Sequence, residues 1–230
     1  MNQHHSSLLT ILYIISSADC GGAETNAIRL IQGLDKQRFQ AIVIVPKKGQ
    51  VSGLLKRAGI PTFVSGWPHH FFSHSFIENW VFQFRLSRFL KPYRIDLIHN
   101  NSMLSLSVAL TLAKHLDCPM ITHWHDNRCP ETYRPLLQNA PDMPIVAVAK
   151  TVKETLQSAL SAQRSIHVIY NGIDSHSFCP SNVHTERKQL NLDPDLFLIG
   201  FCSRITPEKG LHTLINTLSK LPFSVHLLVA

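Results

Sequence analysis

Short apolar runs alternate with amphipathic stretches along the first 170 residues of the chain. The apolar runs are rich in Ile, Val and Leu and predict strands over 8–15, 39–45, 62–64, 95–99, 120–123, 144–149 and 166–170. Apolar residues at helical spacing predict helices over 23–34, 52–58, 76–90, 104–116 and 152–162. Strict alternation of strand and helix is typical of an α/β fold with a parallel sheet covered on both faces. Ligands of such sheets bind beyond the carboxyl ends of the strands.

The pattern changes after residue 174, where prolines, serines and asparagines predict a linker with one short helix at 185–190. One βαβ unit follows, with a strand over 196–202, a helix from Thr206 to about Lys220 and a strand over 223–229. Fewer than roughly 40 residues seldom form a stable core by themselves. We therefore expect three parts: an N-terminal domain over 1–175, a linker over 176–195, and the incomplete start of a second domain over 196–230.

Composition excludes several classes of protein. The chain is 44% hydrophobic and 16% charged, which excludes disorder, and no apolar run reaches the roughly 18 residues that would span a bilayer. Five cysteines without a C-x-x-C pair argue against a disulfide framework or a zinc ribbon and favour a reducing cytoplasm. The net charge of +7 favours phosphate-bearing partners or an anionic surface.

The stretch ISSADCGGAETNAIRL, residues 15–30, has two interpretations. A lipoprotein signal needs a cationic start and small residues before its cysteine, but residues 1–7 lack Lys and Arg, and Asp19 precedes Cys20. The other interpretation is a buried strand that turns into a helix. Helical spacing directly after the glycines favours this second interpretation.

Glycines at the start of a helix allow a ligand to approach the backbone. Gly21 and Gly22 permit a sharp turn, and the helix behind them offers free N–H groups and a positive dipole end to a phosphate. The alternative is a plain tight turn, with Glu24 complementing the helix dipole. The chain contains neither G-x-x-x-x-G-K-[ST] nor G-x-G-x-x-G, which excludes a P-loop and disfavours a nicotinamide dinucleotide.

A second candidate phosphate site is SRITPEKG, residues 203–210. Thr206 is a suitable N-cap and Pro207 a suitable first helical residue, which places Lys209 in the first helical turn. Arg204 leaves the preceding strand. Two cations at a helix start oppose the helix dipole, so they favour a bound diphosphate over two solvated surface side chains.

Three motifs in order resemble family 4 of the retaining glycosyltransferases, which have the GT-B architecture of two Rossmann-like domains. They are GGAE after the first strand, IHVIYNGID near the predicted domain boundary, and SRITPEKG at the start of the second domain. The resemblance implies an acceptor-side N-terminal domain and a nucleotide-sugar-binding C-terminal domain, truncated after its start. It also implies three sets of site residues: Gly21 and Gly22 beside the donor diphosphate, Arg204 and Lys209 on the donor phosphates, and Asn171 and Gly172 at the hinge.

The implied reaction is transfer of a sugar from a nucleotide diphosphate sugar to a saccharide or lipid-linked acceptor, with retention of configuration. The implied setting is cell-surface polysaccharide or glycolipid synthesis. The cysteines favour the cytoplasm, and peripheral contact with the inner face of the membrane is one interpretation of the helix over 76–90 described below. No cofactor, no metal and no nucleic acid are expected. The alternative is an inactive fragment that acts as a binding module, because the family's E-x7-E element and its glycine-rich loop are not found in this chain.

His125 is the candidate catalytic residue, in the stretch His123-Trp124-His125-Asp126 just past a predicted strand. It matches a position where family members often carry a histidine that faces the sugar or the acceptor. A neutral imidazole there would hydrogen-bond a sugar hydroxyl, with Asp126 orienting it. The alternative is a packed loop histidine.

The predicted helix over 76–90 combines aromatic residues with cations. Arg85, Arg88, Lys91 and Arg94 lie among and just after five aromatic side chains. Aromatics beside cations are typical of a helix lying on an anionic lipid surface. Burial of most of these aromatics in the core is the alternative.

Overall fold

The computed structural model describes residues 8–66, 76–140, 143–160, 164–180, 183–193 and 195–230. The chain forms two compact units, Met1–Gly172 and Ile173–Ala230. Phe76 and Ile77 lie in a described helix, but their side chains and that of Trp80 lie outside the described part, so the predicted aromatic surface is described only from Val81 onward.

The first unit is built on a seven-stranded sheet in which every neighbouring pair is parallel, in the order β3-β2-β1-β4-β5-β6-β7. The strands are β1 Leu9–Ile14, β2 Phe39–Val45, β3 Thr62–Val64, β4 Leu97–Asn100, β5 Met120–Trp124, β6 Ile145–Ala147 and β7 Ile166–Val168. The helices are α1 Gly22–Gln32, α2 Gln50–Arg57, α3 Phe76–Leu90, α4 Leu106–Leu116, α5 Arg134–Gln138 and α6 Lys150–Ala159. The predicted α/β fold with a parallel sheet is confirmed.

Helices cover the two faces of the sheet in separate groups. Successive residues of a strand point to opposite faces, so Leu12 and Ile14 pack in a core with α3, α4 and α6. Tyr13 and Ile15 point the other way and pack in a core with α1 and α2. The five-residue helix α5 was not predicted, because it is too short to show a helical period.

The order of the strands reverses at β1. The chain runs from β1 to β2 and β3 on one side, and then returns to place β4 on the other side of β1. In open parallel sheets, the crevice beyond such a reversal is where ligands bind. Here that crevice is bordered by the segments that follow β1 and β4.

The second unit contains a two-stranded parallel sheet, β8 Leu198–Phe201 and β9 His226–Val229. Helix α7, Val183–Gln189, precedes the sheet, and helix α8, Leu211–Leu218, connects the two strands. The prediction of one helix from Thr206 to Lys220 is wrong in detail. Gly210 has φ +75° and separates a 3₁₀ turn, Pro207–Lys209, from α8. A positive φ is a helix-terminating conformation that glycine adopts without strain.

Candidate active site

The glycine turn lies directly beyond the carboxyl end of β1. Gly21 is the N-cap of α1, its N–H donates to Glu24 Oε2 at 3.1 Å, and its carbonyl accepts the N–H of Thr25 at 3.0 Å. A Cβ on Gly21 would lie 2.8 Å from Glu24 Oε2, whereas a Cβ on Gly22 would meet no atom within 4 Å. The carboxylate of Glu24 therefore stabilises the turn through this hydrogen bond, and Gly22 borders open space.

Asn101, which the sequence analysis missed, ties β1, β4 and α1 together. Its backbone N–H donates to Ile14 O at 3.0 Å, and its side-chain amide donates to Ala23 O at 3.1 Å. Its Oδ1 is buried without a partner among the described residues. An unused buried acceptor is costly, so this oxygen is suited to a ligand donor or a water in the crevice. Two asparagines directly after an apolar strand were the available signal.

Asn100 holds the next segment of the same edge. Its amide donates to Ser102 O at 2.8 Å and to Thr122 Oγ1 at 3.0 Å, and its Oδ1 accepts the Ser105 hydroxyl at 2.7 Å. The side chain is fully buried and uses both of its polar atoms. It therefore fixes the geometry between β4, β5 and the start of α4 and contacts no ligand.

The start of α2 packs against the segment that leads into the glycine turn. Val51 N–H donates to Ala18 O at 3.0 Å, and Cys20 N–H donates to Gln50 Oε1 at 3.2 Å. A Cβ on Gly49 would lie 2.6 Å from Ala18 O. Only glycine allows this approach, and the close packing keeps the chain before Gly21 in one position.

A ladder of aromatic rings crosses the sheet toward His125. Ring centroids are 4.7 Å apart for Tyr13 and His99, 5.7 Å for His99 and His123, and 4.3 Å for His123 and His125. His99 Nε2, His125 Nε2 and both ring nitrogens of His123 are buried without a partner in the described part of the chain. Burial lowers the pKa of His99 to about 3 and that of His125 to about 4, and it also lowers the pKa of His123. The three imidazoles are therefore neutral at pH 7.

His125 lies just beyond the carboxyl end of β5, at the same edge as the glycine turn. Only β4 separates β5 from β1, so the two strand ends are about 10 Å apart at the usual strand spacing. A neutral, half-buried imidazole there can donate or accept one hydrogen bond to a hydroxyl. The expectation that Asp126 orients His125 is wrong, because both Asp126 oxygens accept from Arg128 at 3.0 Å.

The predicted cations belong to the second unit. Arg204 follows β8 and is exposed; Lys209 is exposed as well, but it lies in the 3₁₀ turn before Gly210 and not in the first turn of α8. Asn171 and Gly172 are exposed and are the last two residues of the first unit. Within the described residues, no group of three or more His, Cys, Asp or Glu side chains could hold a metal ion.

A match to the sequence profile of a known family identifies the family of this chain. The profile described as Glycosyltransferase Family 4 matches residues 20–177, which begin just before the glycine turn and include the start of α2, Asn101 and His125. The chain belongs to glycosyltransferase family 4. The matched region holds Gly21, Gly22, His125, Asn171 and Gly172.

Several solved structures resemble this family 4 chain. HepE from Anabaena, in complex with UDP, is 26% identical with a TM-score of 0.77, and the match covers 96% of this chain and 60% of HepE. HepE in complex with UDP-glucose is 25% identical with a TM-score of 0.76 and the same coverage. Sucrose-phosphate synthase from Thermosynechococcus elongatus, 17% identical with a TM-score of 0.74 over 96% of this chain and 62% of its own, shows the fold alone.

A shorter stretch of the chain is similar in sequence to a bacterial glycosyltransferase. The O-antigen biosynthesis glycosyltransferase WclY of Escherichia coli is 37% identical over 54 residues, which are 24% of this chain and 15% of WclY. The chain thus spans about 60% of the length of HepE and a small part of WclY. No helix in the described ranges is long and apolar enough to cross a membrane.

Proposed function

We propose that this chain takes part in the transfer of a sugar from a nucleotide diphosphate sugar to a saccharide or lipid-linked acceptor, with retention of configuration. The observation that carries the proposal is membership of glycosyltransferase family 4, over residues 20–177. The likeness to HepE, whose structures hold UDP and UDP-glucose, supports a nucleotide sugar as the donor. WclY, an O-antigen biosynthesis glycosyltransferase, supports a role in cell-surface polysaccharide or glycolipid synthesis. We place this role in the cytoplasm, at the inner face of the membrane, as part of the same proposal.

The crevice beyond β1 and β4 has the features that such a reaction needs. Gly22 leaves space for a ligand at the start of α1, whose free N–H groups and dipole favour a diphosphate. Asn101 Oδ1 offers an unused acceptor to a hydroxyl. His125, which is neutral at pH 7, would hydrogen-bond a hydroxyl of the sugar or of the acceptor. Because it carries no positive charge, it would not form an ion pair with the donor phosphates.

Arg204 and Lys209 are proposed to bind the donor phosphates and to offset the charge of the leaving diphosphate. Asn171 and Gly172, at the end of the first unit, are proposed as the hinge. This division of roles assigns the acceptor and the glycine turn beside the diphosphate to the first unit, and the two phosphate-binding cations to the second. The diphosphate charge is balanced by side chains, so the proposal needs no metal.

Titration calorimetry with UDP and with GDP tests the donor site. Arg204→Ala and Lys209→Ala are each expected to weaken binding of the preferred nucleoside diphosphate by roughly tenfold or more, because a hydrogen bond to a charged group is worth about 1.5–3 kcal/mol. The matched control is Lys220→Ala, which removes an exposed cation of the same unit outside the motif. Equal affinity in wild type and both variants would contradict the assignment.

A binding module without turnover is the second candidate for residues 1–230 by themselves, because they contain no E-x7-E element. Release of UDP from UDP-glucose and UDP-galactose, with and without a lipid extract as acceptor source, separates the candidates. Acceptor-dependent release supports the transferase. Binding of the nucleotide sugar without release supports the module.

A further inference from the structure

A cavity of about 540 Å³ lies between the carboxyl-terminal ends of α3 and α4. Asp96 and Pro119, which directly precede β4 and β5, line it, so it borders the amino-terminal edge of the sheet, opposite the candidate active site. Its floor is apolar and is formed by leucines of the two helices, Leu86, Leu90, Leu112 and Leu116. Volumes of roughly 300–1,000 Å³ with mostly apolar walls are typical of sites for small ligands.

The rim of the cavity continues onto the exposed face of α3. A shallow depression beside it is lined by Phe84, Ser87, Arg88, Lys91 and Pro92, and it shares Ser87 and Lys91 with the cavity. Ser87 and Arg88 lie three and four residues after Phe84, and Lys91, just beyond the end of α3, lies four and three residues after them, so the four positions share one side of the helix end. Phe84 is 54% exposed on this face, and Val81, three residues before it, is 41% exposed.

The cations along this rim differ in how they are paired. Arg94 pairs with Asp96 at 3.4 Å, and Asp96 also accepts the backbone N–H of Thr10 at 2.9 Å. Arg88 and Lys91 form no ion pair with any residue of the described ranges. The α3 side of the rim therefore presents two positive charges without an ion-pair partner, beside a hydroxyl and an apolar floor, while the exposed side chains of His115 and Asp117 lie on the α4 side of the cavity.

We propose that this cavity binds one anionic phospholipid of a bilayer. The phosphate lies at Ser87, Arg88 and Lys91, and the glycerol and first acyl carbons lie on the leucine floor. Phe84 and Val81 rest in the surface of the bilayer, as exposed apolar residues of interfacial helices do. Each Lys or Arg near an anionic membrane surface contributes about 1 kcal/mol, a factor of about five in affinity. The site gives a location to the proposed membrane contact and rests on that part of the proposed function, not on sugar transfer.

Vesicle co-sedimentation of the whole chain tests the charged rim. Vesicles of phosphatidylcholine with one third phosphatidylglycerol should bind the chain at least tenfold better than pure phosphatidylcholine vesicles. Arg88→Glu/Lys91→Glu should remove that preference. The matched control, Lys56→Glu/Arg57→Glu, makes the same charge change on exposed residues of α2, which covers the other face of the sheet, and should keep binding within about twofold.

Soluble ligands test the cavity itself and separate a lipid from a free phosphate. Dihexanoyl phosphatidylglycerol below its micelle concentration should bind at least tenfold more tightly than glycerol 3-phosphate, and Ser87→Trp, which fills the rim, should abolish the difference. Equal affinity for the two ligands would overturn the lipid in favour of a phosphate site. Binding to vesicles without binding of the short lipid would overturn the cavity in favour of surface contact alone. An equal loss of vesicle binding in the control double variant would show that net charge alone causes the effect, and it would overturn the site.

The same variants separate this proposal from the proposed sugar transfer. UDP affinity, measured on Arg88→Glu/Lys91→Glu, should equal that of the wild type, and thermal melting should show that each variant folds. Lost vesicle binding with intact UDP binding supports the lipid site. Intact vesicle binding in that variant overturns it, whatever the outcome of the nucleotide titrations.

Discussion

The two compact units of this chain differ in how much apolar surface they bury. In the first unit, side chains such as Leu12, Ile14 and Ile44 are completely buried between the sheet and its helices. In the second unit, no residue of the described part is buried, and Phe197 and Phe223, whose rings meet 5.6 Å apart, are 59% and 54% exposed. A parallel sheet needs cover on both faces, and two strands with one connecting helix cannot supply it.

The largest expected difference between the units is in their local opening. Amides of β8 and β9 should exchange with solvent deuterium orders of magnitude faster than those of β1 and β4, because opening a unit without a core exposes little new apolar surface.

Limited proteolysis should cut first between Asp174 and Asp195, where the chain is mostly turns with one short helix. Mass spectrometry of the first fragments measures the order of cleavage. First cuts within residues 8–170, with 196–230 left intact, would reverse the comparison.

Truncation of one leucine in each unit measures the same contrast in free energy. Leu12→Ala removes a completely buried side chain and should lower the free energy of unfolding by about 2–5 kcal/mol. Leu228→Ala removes a side chain that is 37% exposed and should cost less than about 1 kcal/mol. Urea denaturation followed by circular dichroism gives both values. Equal losses would mean that the second unit has a core that its exposed fractions do not reveal.

Acid should destabilise the first unit through its buried histidines. The pKa values of His99 and His125 in the folded chain, about 3 and about 4, lie below the ordinary value of 6.5, so the unfolded chain binds protons more readily. Stability is therefore full above pH 6.5 and falls as the pH drops toward 4, by up to about 1.4 kcal/mol per pH unit for each histidine.

His99→Phe keeps a ring against Tyr13 and removes one titrating group. The free energy of unfolding should then fall less steeply between pH 7 and pH 4.5, by the contribution of one histidine, as measured by urea denaturation. His212→Phe, at an exposed position of the second unit, is the control and should leave the slope unchanged. A slope that stays at the wild-type value in His99→Phe would rule out His99 as a source of the acid sensitivity.

Two glycines at the carboxyl edge of the first unit show the contrast between packed and open surface on a smaller scale. Gly49→Ala places a Cβ against Ala18 and should cost about 1–3 kcal/mol, as overpacking does. A Cβ at Gly22 meets no atom within 4 Å, so Gly22→Val should cost less than about 1 kcal/mol, yet it should abolish sugar transfer and UDP-sugar binding by occupying the crevice. Denaturation and UDP-glucose titration of both variants check the pair. Full binding by a normally folded Gly22→Val would make the glycine turn purely structural.

Much of the fold follows from local pattern. Mostly apolar runs such as residues 39–45 and 62–64 predict β2 and β3 with their observed bounds, because strands of a sheet covered on both faces have few polar positions. The break at Gly210 could not be predicted in this way. Glycine is tolerated inside a predicted helix, and only the observed positive φ separates the 3₁₀ turn from α8.

The sequence by itself determined the glycine turn, the family motifs and the position of His125 just past a strand, because each depends on residues that are neighbours in the chain. Tertiary structure alone decided that Asn101 holds the start of α1, that Gly49 touches Ala18, and that His99 and His123 are buried beside His125. Each of these contacts joins segments that are far apart in sequence and meet only when neighbouring strands of the sheet assemble. Burial, and with it the neutral state of the histidines at pH 7, is created by that assembly and has no local signal.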